Sequence, residues 1–293
     1  MKLPLSVIIL TYNEEIHLER LLKNIAGWAE EVFIVDSYST DKTLEIAKKY
    51  GCKIVQHPFE NQAQQFNWAL ENLDIKNEWI LRLDADEYLT EELKQEIPEL
   101  FNINIRKSDS QSINGFYIKR RVYFMGRWIK HGGYYPIWFL RLFRKGKAKS
   151  EQRAMDEHIV LLEGRAEKLK NDFIDNNKKG LSDWINKHNN YASREAEEIF
   201  QYYGSPTSLR KSDFPKLIGD QPAQKRWLKE NLYYRLPLFC RAFLYFIYRY
   251  FFRLGFLDGK EGLIFHFLQG FWYRFLIDAK IYEARKQKLE IKL

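Results

Sequence analysis

What most constrains this chain is an alternation running through its first ninety residues. Four short apolar runs, Leu5–Leu10, Glu31–Val35, Cys52–Gln56 and Trp79–Leu83, are separated by stretches of helical periodicity. Ile16, Leu18, Leu21, Leu22 and Ile25 recur at the three-and-four spacing of one helix face. Leu44, Ile46 and Ala47 mark a second helix through Tyr50, with Thr40 or Asp41 as its cap, and Phe66, Ala69 and Leu70 mark a third. Strands alternating with helices of this length are βαβ units, which predicts an α/β fold around a mostly parallel sheet. Ligands of such sheets gather at the carboxyl ends of the strands. Two of those ends carry carboxylates: the second run leads into Asp36, and the fourth into Asp84-Ala85-Asp86-Glu87.

The second cluster places three carboxylates within four residues, and like charges this close need a cation or solvent to relieve them. Hard oxygen ligands suit Mg²⁺ or Mn²⁺, held by one or two carboxylates and shared with substrate phosphates. An acidic turn leading into a helix near Thr90 fits the same residues, although it accounts for Glu91 and Glu92 better than for Asp84. No G-x-G-x-x-G follows the first strand and no G-x-x-x-x-G-K-[ST] occurs, which excludes a dinucleotide fingerprint and a P-loop. The two cysteines, Cys52 and Cys240, suggest neither a disulfide framework nor a thiolate metal site and fit a reducing compartment. The apolar N-terminal stretch is too short for a signal peptide and alternates as a strand does.

Three stretches together, Val7-Ile-Ile-Leu-Thr-Tyr-Asn-Glu14, Val35-Asp-Ser-Tyr-Ser-Thr-Asp41 and Leu83-Asp-Ala-Asp-Glu87, closely resemble glycosyltransferase family 2, and most of all its bacterial branch that builds lipopolysaccharide cores and exopolysaccharide. The resemblance implies a GT-A fold, a Rossmann-like, mostly parallel sheet flanked by helices, and a nucleotide-sugar donor. It assigns Thr11, Asn13, Glu14, Asp36 and Ser39 to the nucleotide. Asp36 can accept a bond from a ring imide N–H, which uracil, thymine and guanine carry, and this favours UDP. Gln65 and Asn67 stand where the family often has Lys or Arg before Asn, so any donor contact there is uncharged. Asp84-x-Asp86 corresponds to the DXD motif: Asp86 would hold Mg²⁺ or Mn²⁺, and Asp84 would ligate it or hold the ribose. An acidic pair at the stage of Asp156 and Glu157 would supply the catalytic base, Glu157 before Asp156. His158 beside it would orient the acceptor or ligate the metal.

Past Ser112 the pattern turns to strand-like alternation at Asn114–Tyr123 and Trp138–Phe143. Between them, the loop Trp128–Pro136 is either a mobile cover that stacks on a sugar or a loop with a hydrophobic anchor; Trp128, His131 and Tyr134 are its acceptor candidates. Arg141 and Arg144 face donor phosphates or are surface charges. A long amphipathic helix follows over Gly180–Tyr202. His188 lies on its apolar side, where a packing role competes with acceptor binding by His188 and Asn189. These spans divide the chain into a GT-A domain at 1–202, a linker at 203–222 and a tail at 223–293.

The tail holds 14 Lys and Arg against 6 Asp and Glu, the whole of the net charge of +8. It is also dense in aromatics: 18 of the chain's 47 fall within 233–282. Arg235, Arg241, Arg249 and Arg253 interrupt its first apolar segment, which disfavours a spanning helix. On a helix over Leu236–Leu254, Arg241, Tyr245, Arg249 and Arg253 share a sector of roughly 120°. This predicts an amphipathic pair of helices, broken at Gly255–Gly259, lying on an anionic membrane through 233–284 with arginines on lipid phosphates. Packing on the body or a dimer face is the plainer alternative. Nothing in the chain reads bases, so nucleic acid is not an expected partner. The expected activity is an inverting transferase on the cytoplasmic face of a bacterial inner membrane, acting on a lipid-linked glycan. A polyprenyl-phosphate sugar synthase or a non-catalytic nucleotide-sugar-binding scaffold are its alternatives.

Overall fold

The first strand, β1 (Leu3–Thr11), is apolar on both faces, and Val7, Ile8 and Ile9 are fully buried. Alternate residues of a strand point to opposite sides. Val7 and Ile9 accordingly pack with Leu18, Leu21 and Leu22 of α1 (Glu15–Ile25), whereas Ile8 joins Phe33, Phe66 and Phe143 on the other side. A strand buried from both sides is the centre of an open α/β sheet. The computed structural model describes residues 2–102, 112–151, 158–204, 228 and 232–290. Asp156, Glu157 and the expected linker beyond Gly204 lie outside them.

The chain divides into two compact units, Met1–Gly126 with Pro136–Lys178, and Arg127–Tyr135 with Lys179–Leu293. The division falls before the long helix that the sequence groups with the first 202 residues. In the first unit β1 continues through α1 to β2 (Ala29–Asp36), α2 (Thr43–Lys49), β3 (Lys53–Gln56), α3 (Gln62–Asn72), β4 (Trp79–Asp84), β5 (Glu87–Leu89) and α4 (Glu91–Asn102). Next come β6 (Ile113–Phe124), β7 (Arg127–Ile129, in the second unit) and β8 (Trp138–Arg144). The unit ends with the small hairpin of β9 (Ala148–Ser150) and β10 (Ile159–Leu161), then β11 (Arg165–Asp175).

The main sheet runs β3-β2-β1-β4-β8-β6-β11-β5. It is parallel from β3 to β4, antiparallel on both sides of β8, and parallel again between β6 and β11. The chain moves outward from β1 to β3 on one side and then crosses to β4 on the other. The strand order therefore reverses at β1, which makes the β1/β4 crevice the switch point where α/β sheets bind ligands.

In the second unit, α5 (Leu181–Gly204) packs through Ala192, Ala196 and Ile199 on Tyr273, Ile277 and Ile281 of α8 (Tyr273–Glu290). Helix α6 (Cys240–Ile247) runs on through a π-helical turn, and α7 (Gly259–His266) joins α8 through another. Among the described residues no helix is long and apolar enough to cross a membrane. Arg241 and Arg249 are turned the other way from the expected lipid-facing stripe. Arg241 forks onto buried Asp278, with Nε 2.7 Å from Oδ1, and Arg249 Nε donates to the Gly132 carbonyl at 2.6 Å. Arg274 meets Glu195 of α5 at 2.9 Å. Of the four arginines read as interrupting the first tail segment, Arg235 and Arg253 remain exposed. The cause is elementary: a guanidinium surrounded by aromatic neighbours is stabilised by a carboxylate or carbonyl partner, and α8 and the 127–135 segment supply them.

Candidate functional site

The register of the parallel strands fixes the site. Thr11 lies opposite Asp36 across β1/β2, and Leu10 lies opposite Asp84 across β1/β4. Both carboxylates therefore stand on one rim, two strand spacings or about 10 Å apart along the sheet.

Asp36 is fully buried and organises the first half of that rim. Its Oδ1 accepts from the Thr11 and Ser39 hydroxyls, and its Oδ2 accepts from Ser39 N–H at 2.9 Å and from the Gln56 amide at 3.2 Å. Asn13 adopts a left-handed backbone (φ 51°), and its side chain accepts from Thr40 N–H at 2.8 Å. Asp41 ties the starts of two helices together: Oδ1 accepts from Thr43 N–H, the first residue of α2, and Oδ2 from Glu15 N–H, the first residue of α1. The N-cap position of α2 is Lys42, so neither Thr40 nor Asp41, the two caps left open by the sequence, occupies it. Burial pushes the Asp41 carboxyl up, but its bonds outweigh that and hold it below the usual range. Glu14 binds buried His17 Nδ1 at 2.6 Å, while His17 Nε2 accepts from Lys178 N–H at 2.7 Å. Accepting at Nε2 places a ring proton on Nδ1, facing Glu14.

The second half of the rim is a carboxylate–guanidinium lattice. Asp84 lies between two buried arginines, 3.4 Å from Arg82 and 3.3 Å from Arg141. Arg82 rests on the Phe66 ring and Arg141 on Phe173. Glu87 is buried, accepts from Arg141 at 2.6 Å and takes the Asp84 N–H at 2.8 Å. Burial pushes Glu87 well above the ordinary carboxylate range, against the pull of Arg141. Asp86 Oδ2 accepts from Asn177 at 3.0 Å, and Arg20 clamps the Asp86 and Asn176 carbonyls, each at 2.8 Å, with its guanidinium over Tyr88.

Several expected contacts are internal bonds here. Gln65 binds His57 at 2.7 Å and Ser37 at 3.2 Å, and both ends of the Asn67 amide are taken by the Ser150 peptide. Arg144 pairs with Glu78 and covers Trp79, away from Asp84. His158 lies against Phe139, and among the described residues no group of three His, Cys, Asp or Glu forms a metal cage. The Asp84/Asp86 set fits a hard cation shared with a diphosphate, the way Mg²⁺ and Mn²⁺ are usually held, and does not fit an all-protein cage with His158.

The acceptor candidates belong to the second unit. His131 gives its N–H and Nδ1 to buried Asp258, at 2.9 and 2.7 Å. Tyr134 is wedged between Arg249, 3.9 Å above its ring, and Phe265, and Trp128 stacks edge-on with Tyr135. These contacts match the anchored loop rather than the mobile cover. His188 stacks on Trp184 with ring centroids 3.5 Å apart, and burial drives its pKa down to about 4; Asn189 is exposed.

The model of the glycosyl transferase family 2 matches residues 6–154, the stretch that carries Asp36, Asp84 and Asp86. The chain belongs to glycosyltransferase family 2. It is 43% identical over 97 residues to an uncharacterized glycosyltransferase of Rickettsia bellii (strain RML369-C), covering 33% of this chain and 32% of that one. It spans about a third of the length of the Rickettsia relatives. It is 28% identical over 298 residues, 98% of this chain and 95% of the other, to the lipopolysaccharide core biosynthesis glycosyltransferase LpsC of Rhizobium meliloti (strain 1021). Among solved structures, mannosyltransferase PcManGT from Pyrobaculum calidifontis, in complex with GDP-Man and Mn2+, aligns with a TM-score of 0.46 at 16% identity over 100% of this chain and 89% of that one.

The family 2 rim contains residues the sequence reading passed over: Arg20, Asn176, Asn177 and the full role of Arg82. For Arg82 a signal was present, since an arginine inside an apolar strand run needs a buried partner. Arg20 and the two asparagines carried none.

Proposed function

We propose that this family 2 chain transfers one sugar, with inversion, from a UDP-sugar donor to a lipid-linked glycan acceptor. The setting is lipopolysaccharide-core or related envelope polysaccharide synthesis on the cytoplasmic face of the inner membrane. The observation that carries the reading is the strand register that puts Asp36 and Asp84 on one rim at the switch point. The full-length likeness to LpsC supports the process.

Thr11, Asn13, Glu14, Asp36 and Ser39 would receive the nucleoside. Asp36 already accepts four internal bonds, and the longest side-chain bond, from Gln56 at 3.2 Å, is the one a uracil imide would replace. Asp86 and Asp84 would hold Mg²⁺ or Mn²⁺, which when bound supplies Lewis-acid stabilisation of the leaving diphosphate. Arg82 and Arg141, 3.4 and 3.3 Å away, would hold the Asp84 carboxylate in position for that task. Glu157, with Asp156 as the second candidate, would take the proton of the acceptor hydroxyl as that oxygen bonds to the anomeric carbon and the bond to the diphosphate breaks.

Calorimetric titration of UDP, GDP, dTDP and CDP, with and without Mn²⁺, tests the donor site on the wild type and Asp86→Asn. UDP binding that needs the metal and vanishes in Asp86→Asn is the expected result. Absence of nucleotide binding in every condition refutes the assignment. Glu157→Gln is expected to lower turnover by about 100-fold or more with UDP affinity unchanged. Full turnover would remove Glu157 from the mechanism and point to an acceptor that is already an anionic phosphate.

A further inference from the structure

Three carboxylates of the second unit are buried and engaged: Asp278 by Arg241, Glu195 by Arg274, and Asp258 by His131. Along one stretch of the same unit the large apolar side chains are outside. Phe243, Phe251, Phe252, Phe256, Leu257 and Phe267 are each between 45% and 76% exposed, with Phe252 the most exposed. They lie on α6, its π-helical extension, the turn at Gly255–Asp258 and the start of the second π-helical turn, a continuous stretch of chain. Monomeric proteins do not leave this many large apolar groups to water unless something covers them.

The charges around the stretch indicate what the cover is. Between Arg235 and Phe275 the exposed ionic residues are Arg235, Arg253 and Lys260; the acids there are buried Asp258 and half-buried Glu261. An apolar surface rimmed by cations and lacking exposed carboxylates matches an anionic phospholipid leaflet, with phenyl rings in the acyl boundary and Arg253 and Lys260 at the phosphates. No described helix can span, so the contact is with one leaflet.

We infer that the second unit inserts the apolar face formed by Phe243–Phe267 into an anionic membrane leaflet, held by buried hydrocarbon rather than by an arginine stripe. This deepens the proposed location of the transferase and rests on that proposal only for its setting, because membrane attachment is measured without donor or acceptor.

The test is co-sedimentation of the full chain with sucrose-loaded vesicles of phosphatidylethanolamine and phosphatidylglycerol, set against phosphatidylcholine alone. Exposed Cys240 reports insertion directly. A polarity-sensitive dye attaches there in preference to Cys52, whose thiol burial pushes up to about 11. The wild type is expected to bind the anionic vesicles in 1 M NaCl with a blue shift of the dye. Phe252→Ser/Leu257→Ser should weaken binding at least tenfold, since each residue buries a full apolar side chain. Both positions are exposed, so the fold tolerates the change, and retention of UDP binding by the variant verifies this. Vesicle binding that is unchanged in the double variant, or abolished by salt, overturns the inference. So does a discrete dimer that hides the face and ignores vesicles. Failure of UDP titration with vesicle binding intact would instead strike the donor site alone.

Discussion

At the scale of single residues, two buried charges of the first unit make opposite demands. Glu31 lies beneath the N-terminal half of β1, where burial raises its pKa but Lys53, Ser6 and the Lys76 N–H outweigh it and hold the carboxyl at about 2. That value is below the ordinary 4.5, so the stabilisation is complete above pH 4.5 and is lost as pH falls towards 2. Glu31→Gln should lower stability at pH 7 by about 2 kcal/mol and flatten the acid limb between those values, read from urea unfolding at a series of pH. Arg141 and Glu87 are a pair without solvent. Arg141→Met removes the guanidinium shared by Glu87 and Asp84 and is expected to destabilise by about 3–5 kcal/mol, whereas Arg141→Met with Glu87→Gln should recover part of the loss. Equal losses in the single and double variants would show that the pair is not the cause.

Among the elements, those with a clean period were legible and those with a broken one were not. β1, β2, β4, β6 and β8 stand where the apolar runs and alternation put them, because each has a run of buried positions on at least one face. β11 was invisible: buried Leu169 and Phe173 share a face, but half-buried Asn171 stands between them and Glu167, Lys168, Lys170 and Asp172 surround them, so no apolar alternation marks the strand. With β11 hidden, Asn176 and Asn177 could not be linked to Asp86. The Trp128–Pro136 loop was undecided in the sequence because aromatics serve a lid and an anchor equally well. What decides it is Gly132, at φ 66°, where an added Cβ would lie 2.0 Å from His266 Cε1. Gly146 has a similar φ of 74° and open space around it. Gly146→Ala should therefore show only the backbone penalty, about 1–2 kcal/mol. Gly132→Ala adds overpacking against a fully buried ring and should exceed it by about 2 kcal/mol or more in denaturation of the full chain. Equal effects would mean that the loop does not seat on His266.

For the molecule as a whole, the charge balance was legible and its use was not. The tail carries the net charge of +8, and periodicity correctly grouped Arg241 and Arg249 on one helical sector. Periodicity cannot tell which side of a helix faces water when the helix is apolar elsewhere; the partners decide, and Asp278 and the Gly132 carbonyl are 37 and 117 residues away. With Arg241, Arg249 and Arg274 engaged internally, fewer cations remain for polyanions than the composition suggests. Binding of a single-stranded oligonucleotide, which depends on exposed cations and counterion release, should thus be weak and disappear on raising salt from about 50 to about 200 mM. A basic face open to solvent, with all the tail's arginines on it, would instead retain the oligonucleotide well beyond that range with a steep salt slope. Fluorescence anisotropy of a labelled oligonucleotide across a salt series separates the two, and a persistent, steep dependence would require the arginines to be on the surface after all.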